Sequence, residues 1–174
     1  MISLISQLAT RRGLTVLIVA YLVVFGAILM TLGQLKEVSG GFGILDFDQG
    51  YTKERVAEVL GSYGERGFSL YGRIQLLDIF NPALYSLIAS VFTYLLWKGR
   101  GVDWLCLAPL LGGIGDYAEN ITLFLLARGY PDVSDDLIAL SSTLSLIKNA
   151  LLVLGLLPLL VGLVRWGIRR LQRS

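Results

Sequence analysis

The sequence predicts an all-α fold, a bundle of four transmembrane helices, from its composition, its apolar runs and its distribution of basic residues. Of its 174 residues, 55% are hydrophobic and only 16% are charged, whereas soluble domains carry about 25% charged residues. So little charge cannot cover a globular surface in water. The composition therefore excludes an ordinary soluble enzyme, a nucleic-acid-binding domain and a disordered chain. The length predicts a single integral membrane domain over residues 1–174.

The composition also bears on cofactors. The chain contains no His and one Cys, Cys106. These counts exclude histidine-ligated metals, an imidazole base and an intramolecular disulfide, and they leave no thiolate pair for a metal. We therefore expect neither a cofactor nor a bound structural metal.

Four apolar runs predict the spans. A helix needs about 20 apolar residues to cross the hydrocarbon core of a bilayer. The runs that meet this requirement are residues 14–33, 74–97, 104–127 and 137–164, with an outer loop over 34–73. The first run carries no charge and is longer than the ~7–15-residue core of a signal peptide. It is therefore expected to be an uncleaved anchor.

Basic residues predict the orientation of the spans, because positively charged connections stay in the cytoplasm. Segments 1–13 and 98–103 and the C-terminal tail are rich in Lys and Arg, opposed only by Asp103, whereas segments 34–73 and 128–136 lean acidic. The basic residues are Arg11, Arg12, Lys98, Arg100, Arg165, Arg169, Arg170 and Arg173. Both termini are therefore predicted to be cytoplasmic, in a multi-pass protein of the cell membrane, expected to be a bacterial inner membrane. The arginines of the tail are also expected to touch anionic lipid headgroups.

The long outer loop is expected to contain one short amphipathic helix. Thr52 can cap a helix over Lys53–Leu60, and Gly61 and Gly64 can end it. Its apolar residues share one face, and several apolar residues precede it in the loop. We interpret the segment as lying on the outer membrane interface. The alternative is a solvated loop that closes over the bundle.

Ionisable side chains inside the spans predict a polar centre. Asp78, Asp116, Glu119 and Lys148 would each cost about 2.5–3.5 kcal/mol if they faced lipid, so they are expected to face one another. Helical periodicity adds further polar side chains to the same stripes. These are Asn81, Asn120 and Ser145, flanked by Tyr71, Arg73, Gln75 and Tyr85. Three acids against one Lys predict protonated carboxyls, a contribution from Arg73, or a bound cation.

Several residues of this centre carry a resemblance that covers roughly residues 45–150. They are Gly50-Tyr51, Val56, Leu60-Gly61, Tyr71, Leu76-Leu77-Asp78, Pro82, Tyr85, Asp116-Tyr117, Glu119-Asn120 and Lys148. The pattern resembles a group of small four-span bacterial membrane proteins with an LLD-x-x-x-P-x-x-Y helix followed by a D-x-x-E-N helix. This resemblance implies that the cluster is a unit and implies no chemistry.

A looser likeness concerns architecture. Four spans, a long loop after the first and acids buried in the second resemble the sterol-isomerase and sigma-2-receptor superfamily. That likeness implies binding of sterol-like amines against membrane carboxylates. The isomerases also rely on a His, which this chain lacks.

The surplus of acid favours a binding function. We expect an outward-opening pocket that binds a cation, a proton or an amphiphilic amine or lipid. Its counter-charges would be Asp78, Asp116 and Glu119, and its hydrogen-bond partners Asn81, Asn120 and Ser145. The alternative is a structural or accessory subunit of a larger membrane complex, with a protein partner in the membrane, in which the cluster only fixes helix register. The third hypothesis is a lipid-modifying enzyme that uses Asp78 or Glu119 as a general acid or base. It is disfavoured because the sequence contains no nucleophile and base at a spacing that would place them within hydrogen-bonding distance.

Overall fold

Helix accounts for 84% of the described residues, 1–48 and 50–172 of this computed structural model, and no strand occurs among them. The all-α prediction is therefore confirmed. Arg173, one of the basic residues of the tail, lies outside the described residues. The helices are α1 (Ile2–Leu8), α2 (Arg11–Val38), α3 (Lys53–Gly61), α4 (Gly64–Asp78), α5 (Asn81–Trp97), α6 (Ala108–Gly129) and α7 (Asp135–Leu171).

Within the described residues, three helical stretches are long and apolar enough to cross a membrane. They are α2, the nearly continuous pair α4 and α5, and α7. These stretches contain the first, second and fourth predicted spans. Helix α6, which contains most of the third, is not among them. It carries Asp116, Glu119 and Asn120 near its middle, and these polar side chains lower its mean hydropathy.

The helices extend beyond the predicted apolar runs because polar residues cap them. Thr10 precedes α2, and its Oγ1 accepts a hydrogen bond from the backbone N–H of Gly13 at 3.0 Å. Ser134 caps α7 in the same way, accepting from the N–H of Leu137 at 3.3 Å. Such caps satisfy backbone donors in the first turn that have no partner inside the helix.

The second predicted span is divided into two helices. Helix α4 ends at Asp78, and α5 begins at Asn81 with Pro82 in its first turn. Proline has no N–H to donate and fits the first turn of a helix, so the new helix starts there. The break brings the end of α4 and the start of α5 together beside α6.

Helix α3 packs its apolar face into the protein. Thr52 caps it as expected, accepting from the N–H of Arg55 at 3.4 Å. Val56, Val59 and Leu60 are at most 2% exposed and join a core formed with α2, α4, α6 and α7. The apolar face of this amphipathic helix therefore packs against the protein core, whereas we had expected the segment to lie on the membrane interface. This packing agrees with the alternative, a loop that closes over the bundle.

A second, smaller core lies at the opposite end of the bundle. Ile5 of α1, Leu17 of α2, Val91 of α5 and Cys106 pack together there. Helix α6 packs against both α5 and α7, and its polar middle lies between the two cores. This arrangement buries the predicted polar residues Asp116 and Glu119 of α6 and Ser145 and Lys148 of α7.

Candidate functional site

A buried ion pair joins α6 to α7. The ammonium Nζ of Lys148 contacts Oε2 of Glu119; Glu119 is fully buried and Lys148 is 7% exposed. Gly115 permits this approach, because a Cβ at that position would lie 3.1 Å from the Cα of Lys148. The other carboxylate oxygen of Glu119, Oε1, is buried without a hydrogen-bond partner. The ion pair therefore buries two of the four predicted charges where α6 packs against α7.

Hydroxyl groups attach the outer loop to α7 beside this pair. The hydroxyls of Tyr51 and Ser141 are hydrogen-bonded at 2.6 Å, and Thr122 donates to Ser141 Oγ at 2.8 Å. Ser145, a predicted site residue, donates to the backbone carbonyl of Asp48 at 3.2 Å. These bonds hold the loop over the ion pair. The loop therefore covers the end of the cluster at which we had expected an open pocket.

Asp46 belongs to the cluster, although its position in the loop gave no sign of this. It lies in a short 3-10 turn, Leu45–Phe47, and is partly buried. The pKa of Asp46 is raised to about 7, with burial as the largest cause; Glu119 contributes to the rise and Lys148 opposes it. Asp78 and Asp116 also raise this pKa, so Asp46 lies within electrostatic reach of all four predicted charges. The nearest sequence signal was the apolar residue before it, Leu45, which is 1% exposed and anchors the turn in the core.

Asp78 lies where α4, α5 and α6 meet. The side-chain amide of Asn81 donates to its Oδ1 at 2.9 Å, and the amide of Asn120 donates to its Oδ2 at 2.7 Å. One amide comes from the first residue of α5 and the other from α6, so the helix break positions one of the two donors. Each oxygen keeps a further lone pair, since a carboxylate accepts several hydrogen bonds.

A groove of about 360 Å³ opens between α4 and α6 beside Asp78. Its polar lining comes from Gln75, Asp78 and Asn120, with the Tyr117 ring beside them. Its apolar lining is formed by Leu76, Ile79, Ile121, Phe124 and Leu125. These apolar side chains are 45–64% exposed, so the groove opens sideways on the apolar surface of the bundle. Glu119 and Lys148 do not line the groove. The predicted site residues therefore lie in two places, the buried Glu119–Lys148 ion pair and the open groove beside Asp78.

The remaining predicted residues have separate positions. Tyr85 donates its hydroxyl to Asp116 Oδ2 at 2.9 Å, and Asp116 is 8% exposed. Gln75 donates to the hydroxyl of buried Tyr71 at 3.1 Å, which turns part of its amide away from the groove. Arg73 is exposed, so the alternative in which its guanidinium is buried with the acids receives no support from its position.

The arrangement suits recognition of a positive or hydrogen-bonding group. No three His, Cys, Asp or Glu side chains of the described residues are grouped as a metal ion would require. Half-buried Asp78 is the acid that lines the groove, with the amides of Asn81 and Asn120 bonded to its carboxylate and apolar side chains along the rest of the lining. Comparison with known proteins finds no matching protein family, curated protein or solved structure, so the function is inferred from the site itself.

Proposed function

We propose that this chain is an integral membrane protein that binds an amphiphilic amine in the groove between α4 and α6, with Asp78 as its counter-charge. The observation that supports this proposal is a carboxylate held by two amide donors at the edge of an apolar groove. An ammonium group would take the lone pairs that Asn81 and Asn120 leave on Asp78. The apolar part of the ligand would lie along the exposed wall.

The size and lining of the groove favour an amphiphile over a small inorganic cation. Its volume of about 360 Å³ lies within the ~300–1,000 Å³ typical of small-molecule sites. A metal ion needs several converging oxygens, whereas five of the lining residues are aliphatic or phenylalanine side chains. Each methylene of a ligand that is buried there would contribute about 0.8 kcal/mol, and the charge on Asp78 would select amines over neutral lipids.

The acids around Lys148 support a second property of the same site, the uptake of a proton. Asp46, Asp78 and Asp116 remain after Glu119 pairs with Lys148. Repulsion among neighbouring carboxylates favours protonation of one of them. Binding of a cationic amine at Asp78 would therefore compete with proton binding within the cluster.

We further propose a four-span arrangement in which α6 is the third span and both termini are cytoplasmic. The 22 residues of α6 correspond to about 33 Å of helix, enough for a hydrocarbon core of about 30 Å. Its acids are buried between neighbouring helices, which would keep their cost in the membrane low. The outer loop, with its short amphipathic helix α3, would then cover the outer end of the bundle.

Cysteine labelling in intact cells tests this topology. Cys106 is buried, so it should give little background, and single substitutions Asp132→Cys and Lys98→Cys report on opposite connections. A membrane-impermeant maleimide should label Asp132→Cys in intact cells and Lys98→Cys only after the membrane is opened. Equal labelling of both positions in intact cells would contradict the arrangement.

Binding of dodecylamine to the purified full-length chain tests the site. Asp78→Asn should weaken dodecylamine binding about tenfold, as expected for loss of a single charge interaction of about 1.4 kcal/mol. Dodecanol, which has the same alkyl chain and no charge, should bind both proteins alike. Asp136→Asn removes an exposed acid outside the groove and is the matched control. Dodecylamine affinity that is unchanged by Asp78→Asn would refute the proposal.

A structural or accessory role is the second candidate, and the sealed ion pair favours it. Glu119 is fully buried and lies outside the groove lining, so its pairing with Lys148 serves helix register more directly than ligand binding. In that case the chain would depend on a larger membrane complex. Purification in mild detergent as a stable monomer that binds dodecylamine would favour the binding function.

A further inference from the structure

The end of the bundle that holds the last turns of α7 carries a group of cationic side chains around two small cavities. A cavity of about 240 Å³ is lined by Arg100, Trp166, Arg169 and Arg170. An adjoining cavity of about 80 Å³ is lined in part by Arg100, Arg165 and Arg169. Among the described residues, none of the side chains that line either cavity is acidic. The walls of both cavities are therefore cationic in the part of the chain that the structure describes.

Aromatic stacking and backbone bonds hold several of these guanidinium groups in place. The guanidinium of Arg165 lies over the Trp97 ring at 5.6 Å, and that of Arg170 lies over the Trp166 ring at 5.3 Å. Trp97 is itself fixed, because its Nε1 donates to the carbonyl of Pro158 at 2.9 Å. Stacking occupies the face of a guanidinium and leaves its N–H edge directed outward, the geometry that suits a phosphate.

Arg100 reaches the same place from the connection after α5. Its Nη1 donates to the carbonyl of Leu96 at 2.7 Å, which folds the side chain back over the end of its own helix. Arg100 lines both cavities together with side chains of α7. Two separate parts of the chain thus present cations to one small volume, an arrangement that the sequence order alone does not reveal.

An apolar groove continues from these cavities along α7. Its volume is about 520 Å³, and its lining includes Leu160, Val161, Val164 and Ile168. Arg165 and Arg169 line both this groove and the smaller of the two cationic cavities. The smaller cationic cavity and the apolar groove are therefore adjacent, with Arg165 and Arg169 in the lining of both.

We propose that this region binds one anionic phospholipid, with its phosphate between Arg100 and the arginines of α7 and an acyl chain along the groove. Charge complementarity selects an anionic headgroup, and the adjoining apolar groove selects a lipid over a free phosphate ion. The site is distinct from the groove beside Asp78, on other helix surfaces, and does not depend on the amine-binding function. Basic pockets at the cytoplasmic side of membrane helices are known sites for anionic headgroups.

Lipid retention by the full-length chain tests the proposal. The chain is reconstituted in nanodiscs of phosphatidylcholine containing a small fraction of fluorescent phosphatidylglycerol, and lipid binding is followed by energy transfer from the protein tryptophans. Arg100→Gln combined with Arg165→Gln should weaken phosphatidylglycerol binding about tenfold. Arg11→Gln combined with Arg12→Gln removes the same charge from exposed positions outside the cavities and should change binding less than about twofold.

A conservative variant and a competing ion complete the test. Arg165→Lys keeps the charge and loses the planar stacked fork, so it should weaken binding several-fold even if the double variant folds poorly. The proposal is overturned if the parent protein shows no preference for phosphatidylglycerol over phosphatidylcholine, or if both double variants lose binding equally, which would indicate diffuse surface charge. It is also overturned if inorganic phosphate at millimolar concentration displaces the lipid completely, since that outcome describes an anion site without a lipid site.

Discussion

Replacing Lys148 by methionine removes the ammonium of the buried ion pair and keeps a long side chain in its place. Glu119, which is fully buried, is then left without its cation. Removal of one partner from a buried ion pair costs about 3–5 kcal/mol. Lys148→Met is therefore expected to lower the free energy of unfolding by about 3–5 kcal/mol.

Unfolding by sodium dodecyl sulfate in mixed micelles measures this loss. Adding Glu119→Gln should recover at least about 2 kcal/mol, because the double variant contains no buried charge at the pair. Lys36→Met, at an exposed position of α2, should change stability by less than about 0.5 kcal/mol. A cost of Lys148→Met that is simply additive with the cost of Glu119→Gln would refute the buried pair.

Two further predictions concern the loop and the helix contact. The pKa of Asp46 is raised from 3.8 to about 7, mainly by burial, so its contribution to stability is present below pH 4 and is lost as the pH rises through 7. Asp46→Asn should therefore remove a pH dependence of up to about 1.4 kcal/mol per pH unit from the free energy of unfolding. An unchanged pH dependence in detergent unfolding would contradict this assignment. Gly155→Ala would place a Cβ 2.7 Å from the backbone carbonyl oxygen of Ala108 and should cost about 1–3 kcal/mol, measured by the same unfolding assay. Gly167→Ala, where nothing lies within 4 Å, is its matched control and should be neutral or stabilising by up to about 1 kcal/mol; an equal loss at both positions would mean that α6 and α7 do not pack closely.

Local patterns in the sequence predicted the helices because their causes are local. Apolar runs predicted the three membrane-length helical stretches, and Thr52 predicted the start of α3 through a side chain that caps its own helix. The pairing of Glu119 with Lys148 was also foreseeable, since ionisable groups in apolar helices must find one another. An isolated charge inside the membrane is costly in any fold that the chain could adopt, so the pairing can be predicted without knowing where the loops lie.

Other features depend on how distant segments meet, and no local pattern carries that information. Asp46 appeared to be one of several loop acids, yet the packing of Leu45 brings it to the cluster. The groove beside Asp78 exists because α4 ends there and α6 lies alongside, so its shape follows from the helix break. The outward-opening pocket was expected because the loop was treated as a connection. In the structure, the loop is attached to α7 by two hydrogen bonds, one between Tyr51 and Ser141 and one from Ser145 to the backbone carbonyl of Asp48.

The positions of the charges predict that stability and the proposed amine binding depend on different side chains. Glu119 neutralises Lys148 inside the helix contact, so the negative charge of Asp78 is left for a partner outside the pair. Asp78 is held by Asn81 and Asn120, which fix its direction without cancelling its charge. Loss of Lys148 should therefore reduce stability far more than amine affinity, and loss of Asp78 should do the reverse. If one substitution changed both properties equally, the pair and the groove would be a single coupled unit, and Asp46, which lies within electrostatic reach of both, would be the side chain that couples them.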